Sequence, residues 1–255
     1  MDSAGPVFIV TTYLQTKQQE ELFLRCIASI EKFHPGIPIV VLDDTGADVA
    51  FPISSIPASC HIEKTQFLKC GEVNAYAWAI QHRHEYSFFI YLHDSTILLK
   101  ELPLDLSGAI LRPMWHSTRY IKSDTQGSHL LPVLEGFDMK DLQTQYWSTL
   151  EHLRRGHGGQ LVFGGMAMWD RELCEKLEKN SNFLEIAPHF DTRQKRCFFE
   201  RFLYAAAHTL RPFSAFREIS ICGDIFNHGQ AFNLHAGVNP ANACNPYILK
   251  VWQGR

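Results

Sequence analysis

Val7 to Thr12 (VFIVTT) is an unbroken apolar, β-branched run, the pattern of a strand covered on both faces. Between Glu20 and Phe33 the apolar positions fall at 22, 23, 26, 27, 30 and 33, which is a helical stripe. Pro35 and Gly36 stop that helix, and IPIVVLDD (37–44) supplies a second buried strand ending on two carboxylates. Strand, helix, strand, with both strands apolar throughout, predicts a βαβ unit and a parallel sheet. After a Pro/Ser-rich connection at 51–59, GEVNAYAWAIQH (71–82) reads as a helix and SFFIYLHD (87–94) as a third parallel strand. Farther along, 108–117 predicts a strand, 118–140 a loop excursion, 143–156 a helix and GHGGQLVFGGMAMWD (156–170) a glycine-punctuated strand. Helices follow at 171–180 and 193–210, and the segment from Ile219 is short-stranded and loop-rich. No repeat or low-complexity segment divides the chain, so the expectation is one α/β domain with a mostly parallel sheet flanked by helices.

Composition narrows the partners. Over 255 residues, 45% hydrophobic and 20% charged content exclude a disordered chain. A net charge of -3 offers no electrostatic footprint for nucleic acid or an anionic membrane. Seven cysteines, at 26, 60, 70, 174, 197, 222 and 244, are odd in number and contain no C-x-x-C pair. That spacing argues against a zinc module or a disulfide framework and fits a reducing compartment. The apolar run near the N-terminus is too short for a signal peptide or a spanning helix, and nothing later reaches membrane-spanning length. The expected location is cytoplasmic, and these patterns do not specify an oligomeric state.

The ends of the three predicted parallel strands carry the chemistry. Thr11, Thr12 and Tyr13 follow the first, Asp43 and Asp44 the second, and His93, Asp94, Ser95 and Thr96 the third. Ligands of open parallel sheets bind at such carboxyl ends. Singly, each cluster is equally a helix cap or a turn. There is no G-x-G-x-x-G after the first strand, no G-x-x-x-x-G-K-[ST], no H-E-x-x-H and no G-x-S-x-G, so the common α/β chemistries lack their signatures.

The order FIVTTY, helix, IVVLDD, then KCGEVNAYAWAI running into FFIYLHDSTIL, resembles the nucleotide-binding half of the GT-A glycosyltransferases. The resemblance covers about the first hundred residues closely and the remainder loosely. It implies a nucleotide-sugar donor, uridine-linked, with Thr11, Thr12, Tyr13, Asp43, Asp44, Gly71 and Asn74 around the nucleoside. Asp94 takes the place of the family's acidic D-x-D motif. A divalent cation, Mn²⁺ or Mg²⁺, is implied there, since hard ions bridge a diphosphate through oxygen ligands. The motif reads His-Asp-Ser, with one carboxylate where the family often has two or three. His235, in an HAG triplet, and His228 stand as candidates to complete the metal site; their alternative is a satisfied or surface histidine in a chain with 13, and a metal-independent enzyme is the other reading.

By the same resemblance, residues 1–100 form the nucleotide-binding half and 101–255 the half that binds a glycan acceptor. Gly164 and Gly165 allow backbone to approach a sugar, and Trp115, His116 and Trp169 are stacking candidates whose alternative is the core. Glu200 lies at the edge of the stripe Phe198, Phe199, Phe202, Leu203 and Ala206, where burial can raise a carboxyl toward the working pH and suit it to general-base catalysis with inversion. Its alternative is an ion pair with Arg196 or Arg201, and Asp191 and Asp170 are its substitutes. RRGHGGQ (154–160) reads as a phosphate-contacting loop or as a helix cap and turn. The chain resembles small soluble glycosyltransferases of bacteria or large DNA viruses; some small viral members use xylose or rhamnose donors, and UDP-xylose is a candidate donor here. A nucleotidyltransferase and a non-catalytic nucleotide- or carbohydrate-binding module are the competing readings.

Overall fold

The computed structural model describes residues 5–46, 52, 56–117, 161–210, 219–225, 230–231 and 247–251. Its centre is a six-stranded sheet in the order β3-β2-β1-β4-β9-β6. Strands β1 (Pro6–Thr12), β2 (Ile39–Asp43), β3 (Cys60–Lys64) and β4 (Phe88–His93) are mutually parallel. β9 (Ala167–Asp170) runs antiparallel to both β4 and β6 (Leu111–Pro113). This is the mixed α/β, mostly parallel architecture that the apolar runs predict. A small second sheet joins β5 (Thr96–Leu98) to the late strand β11 (Ile248–Val251), antiparallel, and β11 to β10 (Gln230–Ala231), parallel. A two-residue ladder pairs β7 (His116–Ser117) with β8 (Leu161–Val162).

Helix α1 (Lys17–Phe33) begins five residues before the first position of its apolar stripe, Leu22, because Thr16 and Gln19 form a reciprocal capping box that satisfies the first free amides. It buries Leu22, Phe23, Cys26, Ile27 and Ile30, and the Cys26 thiol reaches the His93 carbonyl at 3.5 Å, which seats the helix under the end of β4. Helix α2 (Glu72–Gln81) is buried from Val73 through Ile80. It packs with α3 (Arg171–Ser181) and α4 (Arg193–Leu210). Tyr76 stacks on Trp169 with ring centroids 4.2 Å apart, Phe89 also stacks on Trp169 at 5.8 Å, and Phe183, Phe190, Phe199 and Phe202 form the adjoining aromatic cluster. No helix among the described residues is long and apolar enough to cross a membrane.

Three expectations change. Residues 156–170, read as one strand, are described from 161 as β8, a helical turn at Phe163–Gly165, and β9. Gly164 and Gly165 adopt φ of 61° and 67°, which no strand accommodates. The strand read at 108–117 divides into β6 and β7, after a turn in which Ser107 and Gly108 take φ of 49° and 79°. β3, absent from the sequence reading, is a half-exposed edge strand. The predicted loop at 118–140 and helix at 143–156 lie outside the described residues.

Candidate active site

The strand order reverses at β1: β2 and β3 lie to one side of it and β4 to the other. At such a switch point the connections leave in opposite directions and open a crevice at the carboxyl ends. Thr12, ending β1, and Asp94, following β4, meet there, with Thr12 Oγ1 donating to Asp94 Oδ2 at 3.0 Å. The Asp94 amide donates to the Thr11 carbonyl at 3.3 Å, and Thr11 Oγ1 lies 2.7 Å from the Tyr91 hydroxyl. Thr11, Thr12, Asp94 and Ser95 are all buried.

Into this cluster β11 inserts an ammonium. Lys250 pairs with Thr96 across the small sheet and places Nζ 2.5 Å from Ser95 Oγ and 3.0 Å from His93 Nδ1. Because the ammonium has only hydrogens to give, Nδ1 is the acceptor; Nε2 then carries the ring proton and donates to the Gly164 carbonyl at 2.7 Å. His93 thus ties the acidic motif to the turn before β9.

That turn is built so closely that only glycine fits. A Cβ on Gly164 would stand 2.7 Å from His93 Cε1 and 3.2 Å from Met166 Cε, and one on Gly165 would stand 3.1 Å from Glu72 Cβ. Tyr76 donates its hydroxyl to the Gly165 carbonyl at 2.7 Å. The Gly164 backbone acts on the Glu200 carboxyl and favours its charged form. Two carboxylates from different helices, Glu72 in the first turn of α2 and Glu200 on α4, are therefore held against one glycine turn at the rim of the crevice. Burial, and next the negative charge of Glu72, push Glu200 up to about 8, against the pull of Arg201. Burial pushes Glu72 up to about 7, opposed chiefly by Arg196, whose Nε lies 3.5 Å from Glu72 Oε2.

The other candidate residues divide by place. Asp43 is fully buried and binds Lys64 Nζ at 2.6 Å and both the amide and hydroxyl of Thr45. Asp44 accepts from Thr65 Oγ1 and the Lys69 amide, while Asn74 bonds both the amide and carbonyl of Phe67. Arg196 donates to the Lys69 carbonyl, and Gly71, at φ 49°, faces the Arg196 side chain. Asp44, Asn74 and Arg196 together fix the 65–71 loop that leads into α2. Burial raises Asp44 against these hydrogen bonds. Tyr13 is exposed and accepts from Gln15. Trp115 and Trp169 lie wholly inside the core, and His116 is buried with Nδ1 2.7 Å from Ser220 Oγ. Asp170 caps α3 through the Leu173 amide. Asp191 is exposed, and its hydrogen bond from Lys195 lowers its carboxyl, which weakens it as a proton acceptor. His228, His235 and the 154–160 loop lie outside the described residues. Asp43→Asn is expected to cost about 2 kcal/mol, since it takes the charge from a pair whose acid is buried and whose lysine is partly exposed. An unchanged urea midpoint would exclude that anchoring role.

Two members of the cluster were not among the sequence candidates. Glu72 adjoins Gly71, and a lone acid in the first turn of a helix reads as ordinary dipole compensation. Lys250 sits in a short alternating strand with no motif around it.

The donor set around Asp94 is a poor match for a divalent cation. Such an ion needs several free oxygen ligands. Asp94 is the one carboxylate of the motif, Ser95 Oγ and His93 Nδ1 are engaged by Lys250, and Nε2 is engaged by Gly164. A cation there would share its site with a buried ammonium. The described residues do not fit a divalent ion, and among them no three His, Cys, Asp or Glu side chains converge as metal ligands do.

No protein-family model and no curated protein matches the chain. Among solved structures, core-mannan synthase A from Aspergillus fumigatus, in its Mn/GDP form, is similar over 80% of this chain and 68% of its own, at 11% identity and a TM-score of 0.41.

Proposed function

We propose that this chain is a glycosyltransferase that moves a sugar from a nucleotide-sugar donor, a UDP-sugar such as UDP-xylose, to a hydroxyl of a glycan acceptor. The observation that carries this reading is the switch-point crevice itself, where Thr12 binds Asp94 and His93 ties the acidic motif to the Gly164–Gly165 turn that packs on Glu72; burial raises Glu72 and Glu200 beside it toward neutral pH. A carboxylate poised near the working pH suits removal of a proton from a weakly acidic hydroxyl. In the proposed step Glu200 takes the acceptor proton as the acceptor oxygen bonds the anomeric carbon. The bond from that carbon to the diphosphate breaks, and the nucleoside diphosphate leaves with its electron pair. One displacement inverts the anomeric configuration. The donor lies over Thr11, Thr12, Tyr13 and Asp94, with the loop fixed by Asp44 and Asn74 beside the nucleoside and Asp43 anchoring the end of β2. The acceptor approaches Gly164 and Gly165.

The test is a thermal-shift panel of nucleoside diphosphates and nucleotide-sugars. A ligand present at a hundred times its Kd adds about 2.7 kcal/mol of stability, which for a chain of this size raises the melting temperature by roughly 5 °C or more. No shift with any uridine or guanosine diphosphate would overturn the reading. A shift with no hydrolysis or transfer of any sugar would favour the non-catalytic module.

A further inference from the structure

We propose that the ammonium of Lys250 is the built-in counter-charge for the donor's diphosphate, so that the nucleotide site works without a divalent cation. The proposal rests on the donor-binding reading and adds to it the means of neutralising charge.

Three observations carry it. The first is position. Nζ lies within hydrogen-bond distance of Ser95 and His93, two of the three residues of the motif on which the metal expectation rests. It therefore occupies the carboxyl edge of β4, one strand from Thr12. The second is rigidity. Lys250 is held by its backbone on both sides, opposite Thr96 of β5 and beside Gln230 of β10. The residue is 6% exposed. A charge fixed in place before the ligand arrives needs no reorganisation when negative charge develops on a leaving group. The third is charge balance. Asp94 lies at this strand end and Glu72 and Glu200 lie by the glycine turn that His93 ties to it, and alone these acids would repel a diphosphate. The field of Lys250 acts on Glu72 and on Cys26, beneath the end of β4, and Arg196 flanks Glu72 from α4. Both cations thus offset the charge of Glu72.

A divalent ion bound to Asp94 would sit against the same ammonium in a site shielded from water, where repulsion between like charges is strong. Lysine and metal are therefore alternatives at this position. The chain holds the lysine.

The experiment is calorimetric titration of the whole protein with inorganic pyrophosphate, once in EDTA and once in excess Mn²⁺, for the wild type, Lys250→Met and Lys250→Arg. Wild-type Kd is expected to agree within threefold between the two conditions. Lys250→Met should weaken binding at least tenfold in EDTA, and Lys250→Arg, which keeps the charge, should stay within about threefold of wild type. Binding that needs Mn²⁺, or that improves tenfold or more with it, overturns the proposal; so does the absence of pyrophosphate binding in both conditions. If Lys250→Met melts normally and binds as well as wild type, the proposal also fails. Should Lys250→Met not fold, the wild-type comparison and Lys250→Arg still decide it. Sugar transfer measured in parallel separates the two readings. Metal-free pyrophosphate binding without any transfer removes the glycosyltransferase and leaves the diphosphate site, whereas strictly Mn²⁺-dependent transfer removes only the role of Lys250.

Discussion

Glu200→Gln is expected to cut sugar transfer by about 10²- to 10⁴-fold, the usual worth of a general base, with little change in donor affinity. The amide keeps the shape of the side chain but cannot take a proton. Wild-type activity should rise with pH and level off once the pair has lost its protons, near pH 8. Glu72→Gln should move that inflection to lower pH, because it removes the negative charge that helps to raise Glu200. A bare loss of rate with no move in the inflection would make Glu72 structural only. Stability should run the other way. Both carboxyls keep protons in the folded state that the unfolded chain releases near pH 4.5, so their contribution is complete below that value. It falls as pH rises through about 7 to 8 and is lost above. The melting temperature of the wild type is expected to drop between pH 6 and pH 9, and Glu200→Gln to flatten that drop. A catalytically dead variant that outlasts the wild type at pH 9 would be the signature of acids held where the fold disfavours their charge.

Gly164→Ala should be the most damaging single methyl group in the site. The residue stands at φ 61°, strained for any L side chain, and its Cβ would lie 2.7 Å from His93 Cε1. The expected loss is about 3 kcal/mol or more, part from the backbone and the rest from displacing a histidine whose two nitrogens are both engaged. Gly36→Ala is the matched control. It has φ 82° with nothing within 4 Å, so it carries backbone strain without the clash, at about 1 kcal/mol. The difference between the two melting temperatures reads the contacts with His93 and Met166. If the two variants fall equally, the tight packing of the glycine turn against the acidic motif is not real.

Much of the frame was legible because its elements bury continuous apolar faces. β1, β2 and β4 each read as unbroken runs, and α2 and α4 kept their predicted limits within one residue. Where burial is partial the signal fades, as in Cys60–Lys64 at the sheet edge, whose exposure alternates too weakly to mark a strand. The start of α1 was written in Thr16 and Gln19 rather than in the stripe, which begins later. The turn at 163–165 eluded a pattern reading because glycine is silent about whether it bends a strand or merely interrupts its side chains. Glu200 could be singled out from its place at the edge of an aromatic face. Glu72 and Lys250 could not, since their meaning lies wholly in partners distant along the chain: Arg196 and Glu200 for one, His93 and Ser95 for the other.

The link between Lys250 and Ser95 spans 155 positions. Synthesis runs from the N-terminus, so β1 to β4 emerge long before β11, and closing so wide a loop is among the slower steps of folding. A nascent chain can assemble its parallel strands while the acidic motif still lacks its cation. The capacity to hold an anion then arrives with the final pairing of β11 on β5, which makes ligand capture a reporter of completed folding rather than of the early sheet.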